Sequence, residues 1–210
     1  IEDDRQCGKL LHFFANHELL ATELMALVLL KFPDAPADFR AGVLQTLKEE
    51  QMHTKLYLKR MAECGVQFGD FPVNGFFWSA VSSMSTPLDY VTRLSLTFEQ
   101  ANLDYARGYA RVFAEAGDRG TAALLERIYR DEIRHVSYGL EWFRKWKRED
   151  SDWRTFVSGL HLPLSAARAK GTFSFNEEGR RQAGLDEEFI RELRLYAQSK
   201  GRTPNVFWFN

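Results

Sequence analysis

Apolar residues recur at three- and four-residue steps along most of the first 149 positions of this chain. That spacing is typical of amphipathic helices, whose apolar stripe faces a core. It predicts four long helices, over about residues 4–32, 37–64, 86–116 and 121–148. Pro33 and Pro36 separate the first two helices, and so short a connection forces them to lie antiparallel.

The segments outside these helices differ in composition. Residues 65–87 are rich in Gly, Pro, Ser and aromatic residues, so we expect a long crossover there, with a short helix near residues 78–84. Beyond residue 150, the sequence predicts an irregular stretch, one more helix and an apolar tail that docks on the bundle, over residues 161–176, 186–200 and 203–209. The predicted fold class is therefore all-α. A four-helix bundle spans residues 1–149, and a C-terminal extension, residues 150–210, packs on it.

The charge balance narrows the choice of partners. The chain carries 28 Lys and Arg against 29 Asp and Glu, a formal net charge of −1, which gives nucleic-acid binding no support. No uninterrupted apolar run reaches the ~20 residues that cross a bilayer, and no signal peptide is recognisable, so we expect a cytoplasmic protein without a membrane partner.

Cys7 and Cys64 lie far apart in the sequence, fit no metal or redox spacing, and are expected to be reduced thiols.

The strongest chemical signal is a Glu-x-x-His step that occurs twice, at Glu50–His53 and at Glu132–His135. Residues three apart on an α-helix lie on one face, so each step sets a carboxylate beside an imidazole. The two glutamates are 82 residues apart, and so are the two histidines, which suggests a duplicated helical hairpin. Two such steps on facing helices are what a four-helix bundle uses to hold two metal ions in its core.

Matching acids on the first and third helices complete the set. Glu18 and Glu99 are 81 residues apart, and so are Glu23 and Asp104. Glu99 lies on an otherwise apolar or small stripe, where a lone charge needs a partner, whereas Asp104 lies well off that face. The predicted metal ligands are six residues: Glu18, Glu50, His53, Glu99, Glu132 and His135. Carboxylates and imidazoles suit iron or manganese, and four carboxylates offset the charge of two divalent ions.

The first helix leaves alternatives open. Glu23 is a credible substitute for Glu18 as the ligand from this helix, with Asp104 as its counterpart on the third. His17 sits on the core stripe beside Glu18, so it is either a buried histidine with a hydrogen-bond partner or a further ligand.

The acids that precede each motif glutamate also have two interpretations. Glu49 and Asp131 are either surface carboxylates or partners of the metal-binding histidines. In the second case Asp131 accepts the free N–H of His53, and Glu49 accepts that of His135.

At these residues the chain resembles the ferritin-like di-metal carboxylate superfamily, which carries Glu, Glu-x-x-His, Glu and Glu-x-x-His on four antiparallel helices. The run from Arg130 to His135 is similar to the fourth-helix motif of the small subunit of ribonucleotide reductase. More narrowly, the chain resembles an uncharacterised bacterial ferritin-like family, domain of unknown function 455, in four stretches, residues 17–24, 131–135, 175–180 and 207–210. This resemblance implies a di-iron-type centre and a distant similarity to a tRNA hydroxylase, but no known substrate.

Three functions compete at this point. The first is an O2-activating oxidoreductase or monooxygenase that uses two metal ions, with iron favoured and manganese or a mixed Mn/Fe pair as alternatives. It would act on a small molecule or nucleoside, take electrons from an external donor, and work as a monomer or homodimer. The aromatic crossover and the C-terminal extension favour it, because iron storage requires neither. The second is a ferroxidase or iron-handling protein. The third is a helical binding module whose Glu-x-x-His steps are incidental.

Overall fold

The computed structural model describes residues 3–196, and it is all-helical, with no β-strand within that range. Its α-helices are α1 (Asp4–Lys31), α2 (Ala37–Glu63), α3 (Phe76–Val81), α4 (Pro87–Tyr90), α5 (Gln100–Glu115), α6 (Arg119–Trp146), α7 (Asp152–Ser158), α8 (Glu177–Gln182) and α9 (Glu187–Leu195). A π-helical segment, Val91–Glu99, joins α4 to α5, and a 3-10 helix spans Ala166–Ala169. The predicted docking of the tail, residues 203–209, lies outside the described residues.

Local capping residues set where the long helices begin. The Asp3 side chain accepts a hydrogen bond from the backbone N–H of Gln6 at the start of α1, and Asp118 does the same for Thr121 in α6. Thr86 caps α4 in a reciprocal capping box with Asp89, and Pro87 occupies the first helical position. These side chains satisfy N–H groups that the first helical turn leaves without a partner.

The long helices pack side by side, and neighbouring helices run antiparallel. Helix α1 lies along α2, α2 contacts α6, and α6 lies along the π-helical segment and α5. Arg40 near the start of α2 donates to the carbonyl of Leu29 near the end of α1, so these two helices run in opposite directions. The crossover between α2 and α4 is held against α1 where Asn16 donates to the carbonyl of Asn74.

The π-helical segment is a feature that the sequence pattern did not predict. A regular helix was expected throughout residues 86–116, but from Val91 to Glu99 the backbone hydrogen bonds span five residues instead of four. The Thr97 hydroxyl follows the same spacing and donates to the carbonyl of Thr92. Wider turns rotate the side chains that follow relative to a regular α-helix, so they change which face carries Glu99.

The two cysteines are in contact, although they fit no motif in the sequence. The Sγ atoms of Cys7 and Cys64 lie 3.4 Å apart as buried free thiols. The antiparallel pairing of α1 and α2 brings the start of one helix to the end of the other. Both cysteines are free thiols, in line with the expectation of reduced thiols. Their distance along the sequence gave no sign that the two side chains would be in contact.

Helix α1 is long and apolar enough, by length and composition, to cross a membrane. Half of its most apolar window is buried inside the protein, and the helix packs along α2. It also carries the buried polar residues His12, Asn16 and Glu18. The packing against α2 therefore accounts for its apolar character, as expected of a core helix.

A buried ion pair fixes the C-terminal region to the rest of the chain. The Arg180 guanidinium donates to both carboxylate oxygens of Asp104 on α5, at 2.6 and 2.9 Å, and both side chains are fully buried. The same carboxylate accepts from the backbone N–H groups of Gly171 and Asn176. Helix α9 ends at Leu195, with Tyr196 as its C-cap, and residues 197–200 of the predicted helix over 186–200 lie outside the described residues.

We expect Arg180→Ala to lower the free energy of unfolding by about 3–5 kcal/mol, because it leaves the Asp104 carboxylate buried without its partner. Urea denaturation followed by circular dichroism measures the change. Arg181→Ala is the matched control, since Arg181 forms only exposed ion pairs with Glu177 and Glu187 and should unfold like the parent chain. Equal effects of the two substitutions would contradict the conclusion that the buried Asp104–Arg180 ion pair fixes the C-terminal region.

Candidate metal centre

Six side chains from four helical segments meet at one place in the core. Each segment presents them on its buried face: α1, α2, the end of the π-helical segment, and α6. All six are at most 4% exposed, namely Glu18, Glu50, His53, Glu99, Glu132 and His135. Because ionised groups are costly to bury alone, such a cluster needs compensating charge.

Two groups of potential ligand atoms form within this cluster. In the first, one atom from each of four residues lies within 4.8 Å of the others, namely Glu18, Glu50, His53 and Glu132. The second group has the same spacing and consists of Glu50, Glu99 and His135. Glu50 belongs to both groups, so its carboxylate could contribute a ligand atom to each of them.

Both histidines present the same nitrogen to the cluster. His53 Nδ1 lies 3.4 Å from Glu18 Oε2 and 3.6 Å from Glu50 Oε2. His135 Nδ1 lies 2.9 Å from Glu50 Oε1, and the two ring centroids are 5.8 Å apart. The inward nitrogens are therefore the ones available for a metal.

The outward nitrogens are held by carboxylates. His53 Nε2 lies 3.0 Å from Asp131 Oδ2, and His135 Nε2 lies 2.7 Å from Glu49 Oε2. Of the two interpretations that the sequence left open for Asp131 and Glu49, these contacts agree with the one that pairs them with the histidines. A carboxylate on the outer nitrogen fixes the ring orientation and leaves the inner nitrogen as a lone-pair donor. Each histidine is oriented by an acid from the opposite helix, so the two helices hold the pair reciprocally.

The donor atoms of the cluster fit a metal better than they fit one another. Six of them are buried without a hydrogen bond of acceptable geometry: Glu50 Oε1, His53 Nδ1, both Glu99 oxygens, Glu132 Oε2 and His135 Nδ1. Buried polar atoms almost always have a partner, so this concentration requires a reason. Cations bound between these oxygens and nitrogens would satisfy all of them.

The electrostatics of the cluster show the same crowding of negative charge. Burial raises the pKa of Glu132 to about 8, with the Glu50 carboxylate adding to it, and burial raises the pKa of Glu99 to about 7. Burial and then Glu50 also raise the pKa of Glu18. Burial opposes protonation of His53 and His135, but the surrounding carboxylates hold the pKa of both imidazoles above the ordinary value. Bound cations would replace the protons that these groups otherwise share.

The alternative acids lie elsewhere. Glu23 is exposed and therefore does not point into the cluster, which leaves Glu18 as the acid that α1 contributes. Asp104 is buried but is paired with Arg180. His17 Nδ1 lies 2.8 Å from the carbonyl oxygen of Phe13, and the ring borders the space beside the cluster.

Sequence reasoning missed one polar residue at the cluster. The Asn102 side chain donates to Glu132 Oε1 at 3.0 Å and so holds that carboxylate from the side of α5. Asn102 is three residues after Glu99, the same one-turn step that links each motif glutamate to its histidine. That spacing was the available signal, but an asparagine is not a usual metal ligand.

An apolar cavity of about 170 Å³ adjoins the cluster. Its walls are mainly aromatic and include Phe13, Phe14, Phe77, Phe98, Tyr105 and Tyr109. A smaller space of about 10 Å³, enough for roughly one water, is lined by all four cluster carboxylates. Glu18, Phe77 and Asn102 border both spaces, so the cavity leads to the carboxylate side of the cluster.

A family model described as "Protein of unknown function (DUF455)" matches residues 2–191. The chain belongs to this family. The match confirms the predicted resemblance to domain of unknown function 455. The DUF455 chain is also similar to an "Uncharacterized protein" of Haemophilus influenzae (strain ATCC 51907 / DSM 11121 / KW20 / Rd), 28% identical over 149 residues. The alignment covers 69% of this chain and 50% of the relative, so the chain spans about half of that relative's length. No solved structure matches the chain.

The position of Glu18 predicts its part in metal binding by this DUF455 protein. We expect Glu18→Gln to reduce bound iron from about two equivalents per chain to about one or fewer, because the first group loses a charged donor. Anaerobic loading with Fe(II), followed by elemental analysis of the desalted protein, measures the stoichiometry. Glu23→Gln on the same helix is the control and should bind as much iron as the parent chain. Loss of iron from Glu23→Gln, with Glu18→Gln binding as much as the parent chain, would contradict the assignment of Glu18.

The contact between Asp131 and His53 predicts a weaker centre when the outer acid is lost. We expect Asp131→Asn to weaken Fe(II) binding about 10–100-fold, because His53 loses the carboxylate that orients it. Competition with a chelator of known affinity measures the change. Arg134→Gln is the matched control, since it removes the ion pairs of this exposed arginine with Asp131 and Glu49 but leaves both carboxylate–histidine contacts in place. A loss confined to Arg134→Gln would point to surface charge instead.

Proposed function

We propose that this DUF455 protein is a ferritin-like four-helix bundle with a di-metal, iron-containing centre. We propose further that it activates O2 to oxidise or hydroxylate a small organic substrate. The observation that carries the proposal is the pair of buried Glu/His groups that share Glu50, one of whose residues, Glu18, also lines an apolar cavity. One cation would be held by residues of the first group, Glu18, Glu50, His53 and Glu132, and the other by residues of the second, Glu50, Glu99 and His135.

The donor set supports iron. Four carboxylates and two imidazoles are hard and borderline ligands, which suit iron and manganese better than the softer metals that select thiolates. Neither cysteine takes part, since Cys7 and Cys64 pack against each other near the start of α1. Manganese, or one manganese with one iron, fits the same donors. When bound, the metal pair supplies the electrons and the electrophilic site that reaction with O2 requires.

The side chains of the protein position this chemistry and restrict it. Asp131 and Glu49 keep the two imidazoles directed inward, and Asn102 holds Glu132 by a hydrogen bond. Phe77 and Phe98, whose ring centroids are 3.9 Å apart, form an apolar wall beside the carboxylates. A dry wall limits the access of water and protects a reactive oxidant from side reactions.

The overall reaction needs an external reductant. In a hydroxylation, one atom of O2 enters a substrate C–H bond and the other leaves as water. The substrate supplies two of the four electrons that reduce O2, and a donor supplies the other two together with two protons. We propose that a separate electron-transfer protein or a small reductant fills this role.

A ferroxidase would use the same six ligands without an organic substrate. The aromatic cavity favours the oxidoreductase, because Fe(II) is a hydrated cation and gains nothing from an apolar approach. The two functions differ in the state of the iron after O2 has been consumed.

We expect the reduced, iron-loaded protein to consume O2 and to return to the reduced state on addition of a reductant, with no ferric mineral formed. An oxygen electrode, optical spectra and size-exclusion chromatography of the product measure the three features. Glu50→Ala, which removes the shared carboxylate, should abolish the reaction, whereas Glu23→Gln should not. If the reduced, iron-loaded protein does not react with O2, the proposal is contradicted. Growth of an iron core within a large oligomer would instead favour a function in iron storage.

A further inference from the structure

The aromatic cavity carries one charged side chain that faces no ionic partner. Arg168, from the 3-10 helix Ala166–Ala169, lines the cavity and is half-buried. Burial lowers the pKa of its guanidinium, although the group stays charged at any physiological pH. Within residues 3–196, no carboxylate forms an ion pair with it, and its guanidinium carbon lies 4.9 Å from the centre of the Phe76 ring.

The other basic residues near this helix are occupied. Lys170 donates to three backbone carbonyls, those of Leu193, Arg194 and Tyr196. Arg180 is engaged by Asp104. Among the described residues, Arg168 is thus the arginine of this region that lines the cavity and forms no ion pair. Leaving such a group half-buried has a cost that an anionic ligand would remove.

The two ends of the cavity have different chemistry. Glu18 and Asn102 border both the cavity and the small space beside the cluster, whereas Arg168 and Thr172 border the cavity only. The other residues that line the cavity are mainly aromatic. A ligand in the cavity would therefore direct one part to the carboxylate cluster and another to the guanidinium.

We propose that the cavity binds a small aromatic carboxylate, with its carboxylate on Arg168 and its ring directed to the metal centre. The planar guanidinium matches a carboxylate in a two-point hydrogen-bonded pair, and one guanidinium balances one negative charge. A cavity of about 170 Å³ is close to the size that accommodates a single benzene ring. This inference rests on the proposed function, because it identifies the class of substrate that the centre would oxidise.

The geometry also sets which end of the ligand reacts. A carboxylate anchored on Arg168 would keep the acid group away from the cluster, so the far edge of the ring would meet the small space beside Glu18 and Glu132. Arg168 is thus a positioning residue. It touches the ligand but not the atoms that react.

Equilibrium binding of simple probes tests the assignment. Phenylacetate is the anionic probe, and phenylacetamide is its neutral counterpart of nearly the same shape. Binding is followed by tryptophan and tyrosine fluorescence and by saturation-transfer NMR, with the protein as purified and after removal of metal. We expect phenylacetate to bind at least 10-fold more tightly than the amide, and Arg168→Gln to abolish that preference without weakening the amide. Arg168→Lys should retain part of it.

A matched control and two contrary results complete the test. Arg111→Gln removes an exposed arginine of α5 that does not line the cavity, so it should leave both affinities unchanged. If phenylacetate binds no better than the amide, or if neither probe binds, the proposal is overturned. It is equally overturned if binding of phenylacetate requires the metal but not Arg168, since the carboxylate would then sit on the metal itself.

The binding test and the oxygen test fail separately. If the protein binds phenylacetate through Arg168 but does not react with O2, the proposed anion site is supported and the proposed oxidoreductase function is contradicted. If the protein consumes O2 but binds neither probe, the proposed metal centre is supported and an aromatic carboxylate is excluded as its substrate class. Phenyl phosphate, tested beside phenylacetate, shows whether the site prefers a phosphate, and a clear preference for it would overturn the choice of a carboxylate.

Discussion

Four glutamates share one buried space, and the rest of the structure depends on how their negative charge is balanced. Bringing carboxylates together out of water is unfavourable because each loses hydration and repels the others. Two histidines reduce the cost, but six donor atoms of the cluster still lack a hydrogen bond. A pair of divalent cations would supply the missing charge and the missing contacts together. The proposed function follows from this requirement.

The arrangement of helices explains why the cluster forms where it does. Antiparallel packing of α2 and α6 sets Glu49 opposite His135 and Asp131 opposite His53, so each Glu-x-x-His step is completed by an acid from the other helix. Gly139, one turn after His135, lies so close to Ser95 that an added Cβ would come within 2.2 Å of the serine Cβ. This close approach lets the π-helical segment bring Glu99 to the same place.

Much of this was readable from the sequence, because it depends on local spacing. The four long helices follow from apolar periodicity, and the shared register of Glu50 and Glu132 follows from a repeat of 82 residues. The π-helical segment was not predicted, since no residue type marks hydrogen bonds that span five positions. The pairing of Asp104 with Arg180 joins residues 76 apart and has no local signal. Other contacts between distant parts of the chain have no local signal either. The position of Arg168 at the cavity, for example, depends on how the C-terminal region folds back.

The central claim is that the cluster holds two cations that share Glu50. Anomalous X-ray diffraction from crystals of the protein, with data collected on both sides of the iron and manganese absorption edges, tests it most directly. The account predicts two anomalous peaks, one among Glu18, Glu50, His53 and Glu132 and the other among Glu50, Glu99 and His135. No peak in crystals grown from iron- and manganese-supplemented protein, or a single peak away from Glu50, would contradict it.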